Sequence, residues 1–315
     1  MDELRAACAD VAARARSVRI DGTAIAAYAR SLAAPLRAAR AQSDDAPPAG
    51  LDADGIASFW LTLGAINFGS GWFPTLRKRD RRSGYGTVAL AWREHHVAHG
   101  PLTPARLTGL QPAEVAAILG QDPGHELMAL YAGSLNDLGT RLHAAGGVNA
   151  VMRDTDDSAV AFAVALGRWD CFADSSPYED LAVPFLKRAQ IAAADLYRAG
   201  AARFTDLDRL TMFADNLVPH VLRLDGVLGF DRGLVQRIDA GQLIEHGSPE
   251  EVEIRACALH AVELIVAALR QTGTVAQRQT GTAVTAAAVD QLLWNRGQRP
   301  RYKAVPRHRS RCTAY

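Results

Sequence analysis

The stretch Leu210-Thr211-Met212-Phe213-Ala214-Asp215-Asn216-Leu217-Val218-Pro219 sets a carboxylate two residues after an aromatic ring, inside an apolar run and just ahead of a proline. Aspartate is rarely buried without a partner, and an unpaired buried carboxylate is costly. Asp215 therefore either faces water or serves something inside the protein. Its plain structural reading is a helix end or an N-cap before Pro219, since aspartate favours caps. Thr205 or Asp206 is the cap expected for a helix running into Phe213 and Asp215.

Downstream, residues 221–228 continue apolar and are broken at Asp225-Gly226. Ser248-Pro249-Glu250-Glu251 is the clearest helix start in the chain: Ser248 as N-cap, Pro249 in the first helical position and Glu251 completing a capping box. The helix it opens, to about Arg270, is apolar on most sides, with Glu253, His260, Glu263 and Arg270 its main polar residues past the first turn. A helix apolar nearly all round is a central, buried one, so its few charges are expected to be paired or to face a cavity. Residues 271–285 read as a Gly/Thr/Gln loop, 286–294 as a helix, and the tail from Gly297 is basic.

Upstream, residues 2–42 are rich in Ala and Arg and read as two helical pieces split near Asp21-Gly22. Residues 43–50 form a loop, and 54–68 carry Ile56, Phe59, Trp60, Leu63 and Ile66 at helical spacing. The run from Asn67 to Pro74 mixes glycines with large rings. It reads either as an aromatic-capped turn or as a place where backbone and rings approach a ligand. The basic run from Arg77 to Arg82 reads as a solvated loop. Helices are expected over 87–99, 112–119, 126–145 and 185–199; residues 160–166 are a short apolar run, and Pro177 and Pro184 bracket a loop. Strand signals are scarce, no period repeats, and the fold class is mostly α.

Composition narrows the function classes. Lys plus Arg (35) nearly balances Asp plus Glu (34), which argues against a protein held mainly by nucleic-acid phosphates. Cys8, Cys171, Cys257 and Cys312 form no CxxC pair and read as reduced thiols. His95, His96 and His99 lack acidic partners at a metal-like spacing, so no metal site is expected. No apolar run approaches a membrane span and the start is not a signal peptide, which makes a soluble cytoplasmic protein the expectation.

A second acid stands in apolar company: Asp290 shares a helix face with Leu293 and Trp294, three and four positions on. A carboxylate beside a large ring in a dry place can be held at an unusual pKa or aimed at a developing cation. Spacing alone leaves open a surface aspartate.

Several stretches together resemble the queuosine salvage proteins, the queuosine 5′-phosphate N-glycosidases. They are residues 185–191 (FLKRAQI), 210–219, 250–265 (EEVEIRACALHAVELI), 290–295 and 308–312 (HRSRC), with Asn67-Phe68 and the turn after it. The blocks stand in that family's order from about residue 56 onward, and the first fifty residues contribute little. The resemblance implies one domain over 1–315, similar in fold to helix-hairpin-helix DNA glycosylases. It implies hydrolysis of queuosine 5′-monophosphate to queuine and ribose 5-phosphate, without cofactor or metal and without a stable nucleic-acid or membrane partner. By matching motif, Phe213 stacks on the base, Asp215 hydrogen-bonds it, Asp290 is the catalytic carboxylate, and Gln291 and Asn295 line the site. Lys187, Arg188 and Arg255 are the cations expected for the 5′-phosphate. The family usually has Tyr at the position of Gln291 and Asp at that of Asn295, and the histidine it supplies from its N-terminal part has no counterpart located before Asn67. Two other readings are a glycosidase for damaged DNA bases, which salt-sensitive DNA binding would single out, and a non-catalytic deazapurine-binding protein, which would bind queuine tightly without releasing it from the nucleotide.

Overall fold

The computed structural model describes residues 1–38, 49–271 and 284–315. Most of the loop expected at 43–50 and nearly all of that at 271–285 lie outside the described residues. Helices dominate, as the sequence suggests, and the described strands form two small antiparallel pairs. The chain divides into two compact units, each assembled from separate chain segments.

The first unit comprises residues 1–42, 175–185 and 208–310. Its elements are α1 (Asp2–Arg14), β1 (Val18–Ile20), α2 (Gly22–Ala38), a hairpin of β2 (Ser175–Tyr178) and β3 (Leu181–Pro184), α3 (Leu217–Leu224), β4 (Leu228–Phe230), α4 (Arg232–Asp239), α5 (Pro249–Gln271), α6 (Ala286–Gly297) and α7 (Pro300–Lys303). Helix α5 is the axis, packed against α1, α2, α3, α6 and β1. Its core neighbours include Leu4, Val11, Leu32, Val221, Leu222, Val289 and Leu293. The paired-charge expectation for this helix holds at Glu253, whose buried carboxylate accepts from the N–H groups of Ser17 (2.7 Å) and Val18 (3.1 Å) and from the Tyr178 hydroxyl (2.9 Å). At its start Ser248 Oγ accepts from Glu251 N–H at 3.4 Å, while the Glu251 carboxylate reaches one residue further back than a capping box requires, to Gly247 N–H at 3.1 Å. Beyond α3, Asp225 accepts from Tyr28 (2.8 Å), Arg296 (2.9 Å) and Tyr302 (2.7 Å), joining α2, α6 and α7 through one carboxylate.

The second unit comprises residues 43–174, 186–207 and 311–315. Its long helix Glu126–Ala145 buries Leu127, Tyr131, Leu135, Leu138 and Leu142 along one stripe and stops at Gly146, in the left-handed region at φ 80°. It packs against helices Ala53–Ala65, Pro104–Leu107, Pro112–Leu119 and Val148–Arg153, and the unit also holds helices Gly84–His99, Ala159–Leu166 and Lys187–Arg198. In the turn from Asn67 to Pro74, Phe68 and Trp72 are buried, and the Trp72 indole donates to Glu126 at 2.7 Å. The rings of Phe68 and Trp72 are packing, as an aromatic-capped turn requires. Arg79 of the basic run pairs with Glu94 at 2.6 Å on the surface.

Three local expectations are corrected. Residues 175–184 form a hairpin, with Ser176 opposite Val183 and Glu179 at φ 51° in its turn. Leu186 takes a left-handed conformation (φ 53°), so the helix expected from 185 begins at Lys187, whose N–H donates to Asp174 at 2.9 Å. Most consequential, residues 210–216 are not helical, and α3 begins only at Leu217. Asp206 caps a different helix: its carboxylate accepts from Ser158 Oγ (2.7 Å) and Ala159 N–H (2.6 Å) at the start of Ala159–Leu166.

Candidate active site

A buried, non-helical segment must place its backbone polar groups with something other than itself. The segment 210–216 does so through side chains brought from distant elements. Arg5 Nη2 donates to the Leu210 carbonyl at 3.5 Å and to that of Arg209, just before the segment, at 2.8 Å. The Phe213 N–H donates to Asp290 Oδ1 at 3.2 Å. Arg255 Nε donates to the Ala214 carbonyl at 3.0 Å. The 213–214 dipeptide is thereby held at one end by a carboxylate from α6 and at the other by a guanidinium from α5.

Each of these side chains is itself fixed. Thr285 caps α6 by accepting from Ala288 N–H at 3.1 Å, and Asp290 follows within the first turn and a half, 5% exposed between buried Val289 and Leu293. Arg255 is fully enclosed, its guanidinium 3.9 Å from the centre of the Phe185 ring and 3.6 Å from the Glu251 carboxylate. Burial raises the Glu251 pKa, but Arg255, His246 and the Gly247 N–H outweigh it and hold the group at about 2. The Glu251–Arg255 pair is a charged post under the segment.

Asp215 is half-buried, and one of its oxygens, Oδ1, accepts from Leu217 N–H (2.8 Å) and Val218 N–H (3.2 Å). The plain capping role is therefore real and occupies Oδ1. Next to it the C-terminal tail folds back on α3. Asn216 Nδ2 donates to the His308 carbonyl (3.1 Å), Arg223 to the Pro306 carbonyl (3.2 Å), and the His220 ring meets the Tyr302 carbonyl at 2.9 Å. Between Pro306 and His308 lies Arg307. Burial lowers its pKa, and the Asp215 charge is the one that opposes this.

Of the residues singled out in the sequence, Phe213 and Asp290 are joined by a hydrogen bond, and Asp215 follows Phe213 two residues on. The Phe213 ring is 8% exposed and lies two residues before Asp215 on the segment that Asp290 binds. Gln291 and Asn295 face each other along α6, with Gln291 Nε2 3.2 Å from Asn295 Oδ1. Gln291 is half-buried and Asn295 exposed. Lys187 belongs to the second unit, where its buried ammonium donates to Asn67 through the main-chain carbonyl (3.1 Å) and Oδ1 (3.4 Å). Arg188 is also in that unit and fully enclosed. It donates to the Ala65 carbonyl at 2.8 Å and to the Cys171 carbonyl, between the rings of Phe68 and Phe172, and burial lowers its pKa to about 10. Arg188 and Arg255 thus donate to main-chain carbonyls. Arg307 was passed over in the sequence, where only its position in a basic tail marked it.

Among the described residues no three His, Cys, Asp or Glu side chains gather as a metal-holding group, and the four cysteines are free and buried. No described helix is long and apolar enough to cross a membrane.

Residues 51–315 match the family described as queuosine salvage protein. Three curated relatives bear the name queuosine 5′-phosphate N-glycosylase/hydrolase. The protein of Sphaerobacter thermophilus is 33% identical over 273 residues, covering 83% of this chain and 82% of the relative. That of Bos taurus is 30% identical over 174 residues (53% and 51%), and that of Nematostella vectensis 34% over 164 residues (48% and 47%). The match begins at residue 51, after the Ala/Arg-rich residues 2–42 and shortly before the blocks of family resemblance, which start at about residue 56.

Proposed function

We propose, on the premise that the chain belongs to the queuosine salvage protein family, that it is an N-glycosidase hydrolysing queuosine 5′-monophosphate to queuine and ribose 5-phosphate. The observation that carries this reading is the hydrogen bond from Phe213 N–H to Asp290 Oδ1, which joins the carboxylate assigned to the sugar with the segment assigned to the base.

Cleavage of a ribose–base bond passes through an oxocarbenium-like state, as in glycoside hydrolysis. Asp290 is the carboxylate that faces the anomeric carbon and offsets its positive charge, help worth ~3–4 kcal/mol when one well-placed group is removed. A 7-deazapurine has no N7 to protonate, so the leaving base is managed at its other edges, by Asp215 and by the Phe213 ring. The Phe213 N–H also keeps Asp290 aimed, by holding one of its two oxygens in place. Gln291 and Asn295 border the site as a neutral amide pair. Lys187 is assigned to the 5′-phosphate, an ammonium being a compact point charge for that purpose.

Residues 1–315 are read as one glycosidase domain, a reading the family match supports over 51–315, with the helix-hairpin-helix DNA glycosylases as the fold comparison. The near-neutral charge supports a small-molecule nucleotide substrate over a nucleic acid, and the reduced thiols support a cytoplasmic setting. Incubation with queuosine 5′-monophosphate and chromatography for free queuine tests the reaction. Absence of released base at stoichiometric enzyme would overturn it.

A further inference from the structure

Arg307 stands out as a cation with an unused donor beside the proposed base-binding carboxylate. Its Nε is buried and meets no hydrogen-bond partner among the described residues, while the side chain as a whole is only half-buried. A buried N–H without an acceptor is costly, so such groups mark places where a ligand or ordered water completes the structure. The position is held on both sides: the Pro306 carbonyl is bound by Arg223 and the His308 carbonyl by Asn216, the residue after Asp215.

We propose that Arg307 is a specificity-determining residue that donates to the keto oxygen of the substrate's base, so that Asp215 and Arg307 together read a 2-amino-6-oxo edge. This deepens, and rests on, the assignment of Asp215 to the base. The chemistry of the pair selects the ligand. Queuine is a 7-deazaguanine, and its pairing edge offers N–H donors at positions 1 and 2 beside an acceptor at position 6. A carboxylate takes donors only, and a guanidinium supplies donors only. Oδ1 of Asp215 already accepts two main-chain amides, which turns the substrate's N–H groups toward Oδ2. A second anion, such as the 5′-phosphate, would be repelled by Asp215, whereas a neutral carbonyl oxygen is not. The base's cationic aminomethyl arm would be repelled in turn by Arg307 and the neighbouring Arg309, and so points away from this edge.

The test compares the wild-type chain with Arg307→Met and Arg307→Lys on 7-deazaguanosine and 7-deazaadenosine 5′-monophosphates, with calorimetric binding of the two free bases alongside. The wild type is expected to favour the 6-oxo compound by more than about 100-fold in kcat/KM, since a site built to hydrogen-bond an atom rejects the analogue lacking it. Arg307→Met is expected to lose about 10–100-fold on the 6-oxo compound while the 6-amino compound changes little, and the free bases should show the same collapse of preference. Arg307→Lys keeps the charge but not the planar fork, and should recover only part of the discrimination. Should the Met variant melt early, the Lys variant carries the comparison. Unchanged discrimination in a folded variant, or a wild type that binds neither base preferentially, overturns the proposal. No hydrolysis of either nucleotide or of queuosine 5′-monophosphate, with preference for the 6-oxo base intact, overturns the hydrolase reading and leaves the base contact standing.

Discussion

The Phe213 N–H donates to Asp290 Oδ1 across 3.2 Å, although the two residues are 77 positions apart in sequence. One buried carboxylate therefore has a structural task, holding a main-chain amide, and a proposed chemical one. Asp290→Asn keeps an acceptor for that amide and removes the charge. It should fold with a melting temperature close to wild type and lose about 100–1,000-fold in base release, the usual cost of one electrostatic group in such a site. Near-wild-type turnover would strip Asp290 of its role. Asp215→Asn, which still caps α3, should likewise fold and turn over poorly.

The phosphate is remote from the bond that breaks, and remote binding energy supports the chemical step. Lys187→Met should act chiefly on the phosphorylated substrate, reducing kcat/KM by about 10–100-fold, and leave the dephosphorylated nucleoside's lower rate nearly unchanged. Equal loss on both substrates, measured side by side, would assign Lys187 to holding Asn67 alone.

Arg255 offers a stability prediction. Arg255→Met leaves the Glu251 carboxylate buried without its main counter-charge and frees the Ala214 carbonyl. Breaking one side of a buried pair costs about 3–5 kcal/mol, visible as a lower urea midpoint. Glu251→Gln combined with Arg255→Met should recover part of the loss. A double variant no more stable than the single one would mean that the pair is not the source.

Acid should weaken the first unit in a particular window. Burial lowers the pKa of His220 to about 4 and that of His308 to about 3. Below the ordinary value of about 6.5, the unfolded chain takes up protons that the native histidines refuse. Stability contributed by the neutral rings is thus complete above that pH and falls as pH drops toward 4. The slope is about 1.4 kcal/mol per pH unit for each histidine. Glu251 adds its own loss only below its unfolded value of 4.5, toward about 2. Urea midpoints between pH 7.5 and 4.5 should fall accordingly, and His220→Gln should flatten the curve. A flat wild-type profile would show that these rings are protonated in the native state.

The sequence revealed those parts of the fold whose causes are local. The Ser248–Glu251 start of α5, the helix Glu126–Ala145 with Gly146 behind it, and the burial of Glu253 on a nearly all-apolar helix rest on neighbours in the chain. Residues 210–216 misled because their backbone partners, Asp290 and Arg255, come from 77 and 41 positions away. Asp206 looked like a cap for the residues that follow it and caps a helix that starts 47 positions earlier. Of the candidate site residues, Phe213, Asp215 and Asp290 are nameable from motif, whereas Arg307 gains meaning only once the tail lies against α3. The full enclosure of the arginines at 188 and 255 is invisible in a string of letters.

Helix α5 packs on α1 and α2, which precede it by more than two hundred residues, and on α6, which follows it. During synthesis the first two helices leave the ribosome long before the surface that covers them exists. Their apolar faces must wait, shielded by chaperones or by loose collapse, until about residue 300 has been made. Contacts of such long sequence separation are slow to form, and the waiting species is the one exposed to aggregation. Recovery of folded enzyme from cells should therefore depend on translation speed and growth temperature more steeply than the finished molecule's thermal stability would suggest.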